Sequence, residues 1–273
     1  MQRRLLRKHY FLPTEHGAWI WWIGPLLIGL AASKHLTSDA FLLALAALVV
    51  FMLRQPATIG VKALSGRRPR TDLAPAAGWA TVDLTVAALS LAALVAAGHT
   101  HLLLLTVPAV LVFAWHLWLI SRRAERGQMG VELVGAGVLA LAASAAYWVS
   151  GGESDRQAWL LWGLTWLQSA ASIVYVYLRL EQRRMPEAPP PAARWRMGAR
   201  TLAYHTFNLA PSLALTIGGE VPWGVPVAFG LMLADTLEGI AHPPVGAKPT
   251  AIGFRQLGAS ISFVAVMVLA YRL

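Results

Sequence analysis

No cysteine occurs among the 273 residues, which excludes a disulfide frame and any zinc, haem-thiolate or iron–sulfur site built on thiolates. His, Asp and Glu are left as the strong metal ligands. Charge is also scarce: 13% of the residues are Asp, Glu, Lys or Arg, whereas 57% are hydrophobic. That balance, with a mean hydropathy of +0.55, excludes a soluble domain of this size and predicts a polytopic membrane protein. Acids are the scarcer sign, 13 against 23 Lys and Arg, for a net charge of +10. A basic excess serves nucleic acid when it lies on a soluble face with stacking or base-reading groups beside it. Here the basic residues lie between hydrophobic runs, so no nucleic-acid partner is expected. The phosphate-loop pattern GxxxxGK[ST], the HExxH zinc pattern and the GxSxG nucleophile turn are all absent, and Ser and His are too scattered to suggest a triad. No internal repeat argues for inverted symmetry. The first apolar run lacks a small-residue cleavage site after it, so the basic start reads as an arm before an uncleaved span.

Apolar windows place nine spans near 17–33, 38–54, 76–97, 101–120, 129–150, 157–178, 201–217, 222–239 and 257–271. The seventh contains His205, Asn208 and Pro211 and the eighth contains Pro226, so eight spans plus a re-entrant segment is the alternative. With the N-terminus inside, twenty Lys and Arg fall on inner segments and only Lys34, Arg156 and Arg272 on outer ones. That bias orients the chain with its N-terminus in the cytoplasm and its C-terminus outside. The expected fold is therefore an all-α, multi-pass bundle of about nine helices in a bacterial cytoplasmic (inner) membrane, with the lipid bilayer as its first partner. Residues 1–273 read as a single integral membrane domain, with a basic arm at 1–16 and a Pro/Arg-rich cytoplasmic loop at 181–200. Trp19, Trp79, Trp118, Trp148, Trp159 and Trp223 lie near span ends and suit interfacial anchoring.

The polar residues inside or bordering the spans collect in the cytoplasmic half, while the outer half offers nothing comparable. Glu15 and His16 stand before span one, Arg54 closes span two and Asp83 lies within span three. His116 is near the inner end of span four, and Glu132 opens span five. Arg179 and Glu181 close span six, His205 and Asn208 open span seven, and Asp235, Glu238 and His242 end span eight. Such asymmetry suits a cavity open to the cytoplasm, because polar groups in a bilayer are tolerated where they meet water, protein or ligand. The competing explanation is a set of interfacial residues and interhelical salt bridges.

Asp235, Glu238 and His242 are spaced i, i+3, i+7 and share one helical face, as candidate ligands for a divalent cation; ion pairing with Lys248 or Arg255 is the alternative. Glu15-His16-Gly17 offers a carboxylate and a group titrating near neutral pH, or simply a helix start capped by Thr14. Arg54 and Arg179, at helix ends, are the guanidiniums best placed for a phosphate or carboxylate.

Pro13-Thr14-Glu15-His16-Gly17-Ala18-Trp19, Arg54-Gln55-Pro56 and Thr250-Ala251-Ile252-Gly253-Phe254-Arg255-Gln256 resemble the motifs of the YwiC-like family of bacterial integral membrane proteins, a similarity covering nearly the whole chain. The nine helices, the cytoplasmic N-terminus and the polar inner ends of helices two and six also resemble the UbiA-type prenyltransferases. That resemblance implies Asp-rich motifs after helices two and six, where magnesium bridges carboxylates to an isoprenoid diphosphate. This chain departs from it: no acid follows span two until Asp72, and Glu181 and Glu187 stand among arginines after span six.

These residues together point to a cytoplasm-facing cavity and a diverged UbiA-like transferase acting on an anionic isoprenoid or lipid. Arg54, Arg179, His205, Asn208 and Arg255 are the candidate substrate contacts. Glu15, His16, Asp83 and Glu132 are the candidate acid–base groups. Asp235 and Glu238 are the candidate metal ligands, with magnesium as the cofactor to test. The alternatives are a carrier or permease for a small anion or lipid, and a non-catalytic membrane subunit docking a protein partner through its basic loops.

Overall fold

The computed structural model describes residues 7–13, 19–33, 35–125 and 127–273. Nine α-helices run through them: α1 (Ile20–Ser33), α2 (Ser38–Leu64), α3 (Leu73–Ala96), α4 (His101–Ser121), α5 (Met129–Val149), α6 (Asp155–Gln182), α7 (Pro191–Ile217), α8 (Gly224–Ala241) and α9 (Pro249–Arg272). Short 3-10 turns, Lys8–Tyr10 and Arg70–Asp72, precede α1 and α3. All nine expected spans are present. Seven of the nine helices stand out as apolar, six of them long enough to cross a membrane and α1 shorter. The other two, α6 and α7, are the long helices with polar faces.

Several helices extend beyond the apolar windows at the end of the bundle that carries the excess of Lys and Arg, here called the basic end. α2 continues to Leu64 with Pro56 inside it, α7 begins at Pro191, and α9 begins at Pro249. A hydropathy window closes at the first charges, whereas backbone hydrogen bonding continues through amphipathic turns. Pro191 and Pro249 occupy first helical positions, where a missing N–H costs nothing and a fixed φ favours the helix. Much of the segment expected as the 181–200 loop is thus helix, and Arg194, Arg196 and Arg200 stand on α7.

α2 and α3 form one hairpin, and α1 packs on α5, α5 on α6, α7 on α8, and α9 on both α1 and α8. The shared core includes Ile28, Ala143, Leu161, Val225, Phe229 and Met267. α3 and α4 are peripheral and present Val82, Leu89, Leu104, Val107, Val110 and Leu111 outward, a surface that a bilayer covers without cost. On α6, Trp162 donates to the carbonyl of Gly137 and Trp166 to that of Leu133, both at 2.9 Å. The indole of Trp166 lies against Gly137, where a Cβ would stand 2.8 Å from the ring. Trp159, expected as an interfacial anchor, meets Trp148 and Trp162 edge-on. These tryptophans join α5 to α6.

At the basic end, Arg67 donates to the carbonyl of Ile120 (2.8 Å) and to Glu125 (2.6 Å), tying the α2–α3 turn to the end of α4. Tyr10 donates to Asp72 at 2.8 Å, and Gln55 donates to the carbonyl of His9 at 2.8 Å. The hydrogen bond from Arg67 holds the Glu125 carboxyl below the ordinary carboxylate range. A depressed folded value means that this pair stabilises the protein above the unfolded pKa and stops doing so as pH falls through the folded one. Glu125→Gln is therefore expected to flatten the acid side of the stability profile, below about pH 4.5, while lowering stability modestly at pH 7. Unfolding midpoints measured across that range check it.

Candidate functional site

The polar groups of the interior lie on α6 and α7 as two helical stripes. On α6 they are Thr165, Gln168, Ser169, Ser172, Arg179 and Gln182; on α7 they are Thr201, His205, Asn208, Ser212 and Thr216, and all are buried. Spacings of three and four residues put each set on one face. Part of each stripe is internally satisfied: Thr165 donates to the carbonyl of Leu161 (2.8 Å), Ser169 to that of Thr165 (2.9 Å) and Thr216 to that of Ser212 (2.8 Å). Asn208 crosses to α6 and donates to the carbonyl of Leu167 at 2.8 Å, and Gln256 of α9 donates to Ser172 at 2.7 Å.

Other polar atoms there are not satisfied. Both side-chain polar atoms of Gln168 and of Gln182, Nε of Arg179, Oδ1 of Asn208 and Oγ1 of Thr236 on α8 are buried without a hydrogen-bond partner. Buried polar atoms without partners cost roughly 1–3 kcal/mol each, and native proteins carry few of them. Their concentration on α6, α7 and α8 marks an interior suited to water or a ligand head.

Where α6 reaches the basic end, arginines converge on the end of α8. Arg179 donates through Nη1 to the carbonyls of Gly239 and His242, the second at 2.9 Å. Arg194 donates to the carbonyl of Ala241 at 2.8 Å, and Arg183 to that of Ala247 at 3.0 Å. The last carbonyls of a helix have no intrahelical donor and carry its negative dipole end, so guanidiniums fit there. Because these acceptors are carbonyls rather than carboxylates, the positive charges are not neutralised by them. The Arg179 guanidinium also lies 5.7 Å from the Tyr175 ring centroid.

Asp235 and Glu238 precede these carbonyls on the last two turns of α8, and both face Arg255 of α9. Arg255 bonds Asp235 Oδ1 at 2.8 Å and also pairs with Glu238, while the exposed His242 ring lies 3.4 Å from the Glu238 carboxylate. Ion pairing with Arg255, the alternative to metal ligation, is the arrangement found. Among the described residues no group of three or more His, Asp or Glu side chains is placed to hold a metal ion. Two carboxylates turned towards one guanidinium do not make the several-oxygen donor set that a hard divalent cation takes. Among the described residues, these side chains do not make the donor set of a magnesium site.

The other predicted residues lie elsewhere. Glu15 and His16 fall outside the described residues. Arg54 is half-buried on α2. Asp83 is 5% exposed on α3, with Oδ2 unpartnered. Glu132, at the start of α5, accepts from Tyr177 at 2.9 Å. Arg179, His205, Asn208, Asp235, Glu238 and Arg255 all lie on α6–α9: Arg255 meets Asp235 and Glu238, His205 meets Tyr175 one turn from Arg179, and Asn208 stands deeper, level with Leu167. Arg54 and Asp83 belong to the α2–α3 hairpin. Gln168, Gln182, Thr236, Arg183 and Arg194 were not anticipated; the stripe at positions 201, 205, 208, 212 and 216 was readable from its spacing alone. The opposite end is not bare either. A cleft of about 400 Å³ there is lined by His99, His101, Trp148, Glu153 and Asp155, and His99 pairs with Asp39 at 2.9 Å.

The sequence model described as YwiC-like protein matches residues 12–147. Over that stretch the chain is similar to YwiC-like proteins. The match is narrower than the similarity expected from the motifs. It takes in α1–α4 and nearly all of α5, and the polar interior of α6–α9 lies beyond it. No curated protein matches this chain. A solved structure from work on the biosynthesis of digeranylgeranylglyceryl phosphate synthase in membranes, a UbiA-type prenyltransferase, is similar to it with a TM-score of 0.61 and 9% identity. The similarity covers 98% of this chain and 99% of the other. At that identity it shows the fold: the nine helices have the UbiA-type arrangement.

Proposed function

We propose that this protein binds an anionic isoprenoid or lipid with its head at the basic end, beside Arg179, Arg183 and Arg194, and acts as a diverged UbiA-like group transferase. The observation that carries this reading is the convergence of three guanidiniums, bonded to carbonyls, on the last turn of α8 and the loop that follows it. Gln182 and Nε of Arg179 lie in the same region, buried and unpartnered. Guanidinium binds phosphate through paired N–H donors, and the UbiA-type resemblance implies a diphosphate held near the end of helix six, where Arg179 and Arg183 lie. The shared fold and the twenty Lys and Arg of the inner segments support a head bound on the cytoplasmic side of a bacterial inner membrane.

A ligand that binds only the folded protein raises its stability by mass action. Geranylgeranyl diphosphate is expected to raise the unfolding midpoint of the purified protein equally in magnesium and in EDTA, and the rise is expected to disappear in R183A/R194A. A rise seen only with magnesium would return the metal reading; no rise in either would remove the anion site. A carrier for a small anion is the second reading, favoured by the His- and acid-lined cleft at the opposite end. Uptake of labelled anion into proteoliposomes, lost in R183A/R194A, would favour it.

A further inference from the structure

A second, separate cleft opens between α1, α6 and α9. Its floor is polar, formed by Thr165, Gln168, Ser169 and Ser172 of α6 with Ser260 of α9. Its outer edge is apolar: Ile20, Trp21 and Val264 are half-buried there. The volume is about 30 Å³, room for a group the size of a water or a hydroxyl. None of its lining residues is charged.

Gln168 is the decisive side chain. It is 6% exposed and lines the cleft, yet neither Oε1 nor Nε2 has a partner. A carboxamide offers two donors and an acceptor, so it asks for a group that both donates and accepts. Beside it, Ser172 Oγ already accepts from Gln256 and keeps its own O–H to donate. Thr165 and Ser169 donate to helix carbonyls. A single hydroxyl would complete the set by donating to Gln168 Oε1 and accepting from Gln168 Nε2 or from Ser172. An ionised phosphate would be desolvated there against no cation, a penalty that excludes it.

We propose that this cleft binds the hydroxyl head of a neutral long-chain alcohol, whose hydrocarbon tail leaves past Trp21 and Val264 into the lipid. The apolar edge selects a ligand arriving from the hydrocarbon phase, and the small polar floor admits only its head. Gln168 and Arg179 stand eleven positions apart on α6, about 16 Å along a helix. This site therefore shares no residue with the arginine cluster, and it stands whether or not that cluster holds an anion.

The test uses the full chain in nanodiscs with three probes of equal length bearing a diazirine: a primary alcohol, an alkane and an alkyl phosphate. The alcohol is expected to label α1 and α9 near Trp21 and Val264, with at least tenfold weaker labelling in Q168L and in the cleft-filling S260L. R183A/R194A leaves it unchanged. Q168L is expected to unfold no more easily than wild type, because the change removes an unsatisfied amide; S260L supplies the same test if Q168L does not fold. Equal labelling by alkane and alcohol, undiminished labelling in the variant that folds, or phosphate labelling as strong as that of alcohol would overturn the proposal.

Discussion

Alanine at position 29 is expected to destabilise the protein severely, although it adds one methyl group to a membrane helix. Gly29 of α1 faces α5, where an added Cβ would overlap the carbonyl oxygen of Ala143 and stand 2.9 Å from the Cβ of Ala146. Backbone is what blocks it, so no side chain can rotate away; α1 and α5 must separate. Small residues let membrane helices approach in this manner. Overpacking of that kind costs on the order of 3 kcal/mol. Gly60 of α2 has open space around its Cβ position, so Gly60→Ala is expected to be neutral or to gain about 0.5–1 kcal/mol of helix stability. Unfolding midpoints of the two variants, measured together, separate contact from propensity; equal effects would contradict the packing described here.

Arg179→Met is the second large effect. It removes the donor to the carbonyl of Gly239, buried in the last turn of α8, and to that of the exposed His242 just after it. An unsatisfied buried acceptor costs roughly 1–3 kcal/mol, and removing the desolvated charge offsets part of that. The expected net loss is about 2–4 kcal/mol. Arg179→Lys is expected to lie between, since an ammonium keeps the charge but lacks the planar donor fork. Arg183→Ala and Arg194→Ala, whose side chains are only partly buried, are expected to lose anion affinity with little change in stability. Unfolding curves recorded with and without geranylgeranyl diphosphate give both quantities, and a stability loss in R194A as large as in R179M would contradict this division.

Much of the architecture was legible because a bilayer imposes length and hydropathy on every crossing. The expected spans from 17–33 to 257–271 all correspond to helices. Their ends were less legible: Arg54 reads as the close of a span and Lys62 as lying beyond it, yet α2 continues through both, because helical hydrogen bonding does not stop where apolar composition does. Arg179 was recognised as a functional candidate from its position, but its partners are carbonyls some sixty residues away, a contact that no local pattern encodes. Asp235 and Glu238 illustrate the same limit. Their spacing gives a shared face correctly, and only the packing of α9 beside α8 shows that the face meets Arg255. The stripes on α6 and α7 were readable, since Thr201, His205, Asn208, Ser212 and Thr216 repeat at helical intervals. Attention to charged residues passed over neutral ones such as Gln168 and Gln182. The cleft at the end opposite the arginines is hard to read from sequence because His99, His101, Glu153 and Asp155 flank short loops, where polar residues are ordinary and composition singles out none of them.

The central claim is that the arginines gathered around the end of α8 hold an anionic head without help from a metal. Native mass spectrometry of the purified chain with geranylgeranyl diphosphate in EDTA addresses it most directly. The account predicts a complex of one ligand per chain in the wild type, retained in Q168L and lost in R183A/R194A. A complex that forms only when magnesium is restored, or one that survives in R183A/R194A, would contradict it.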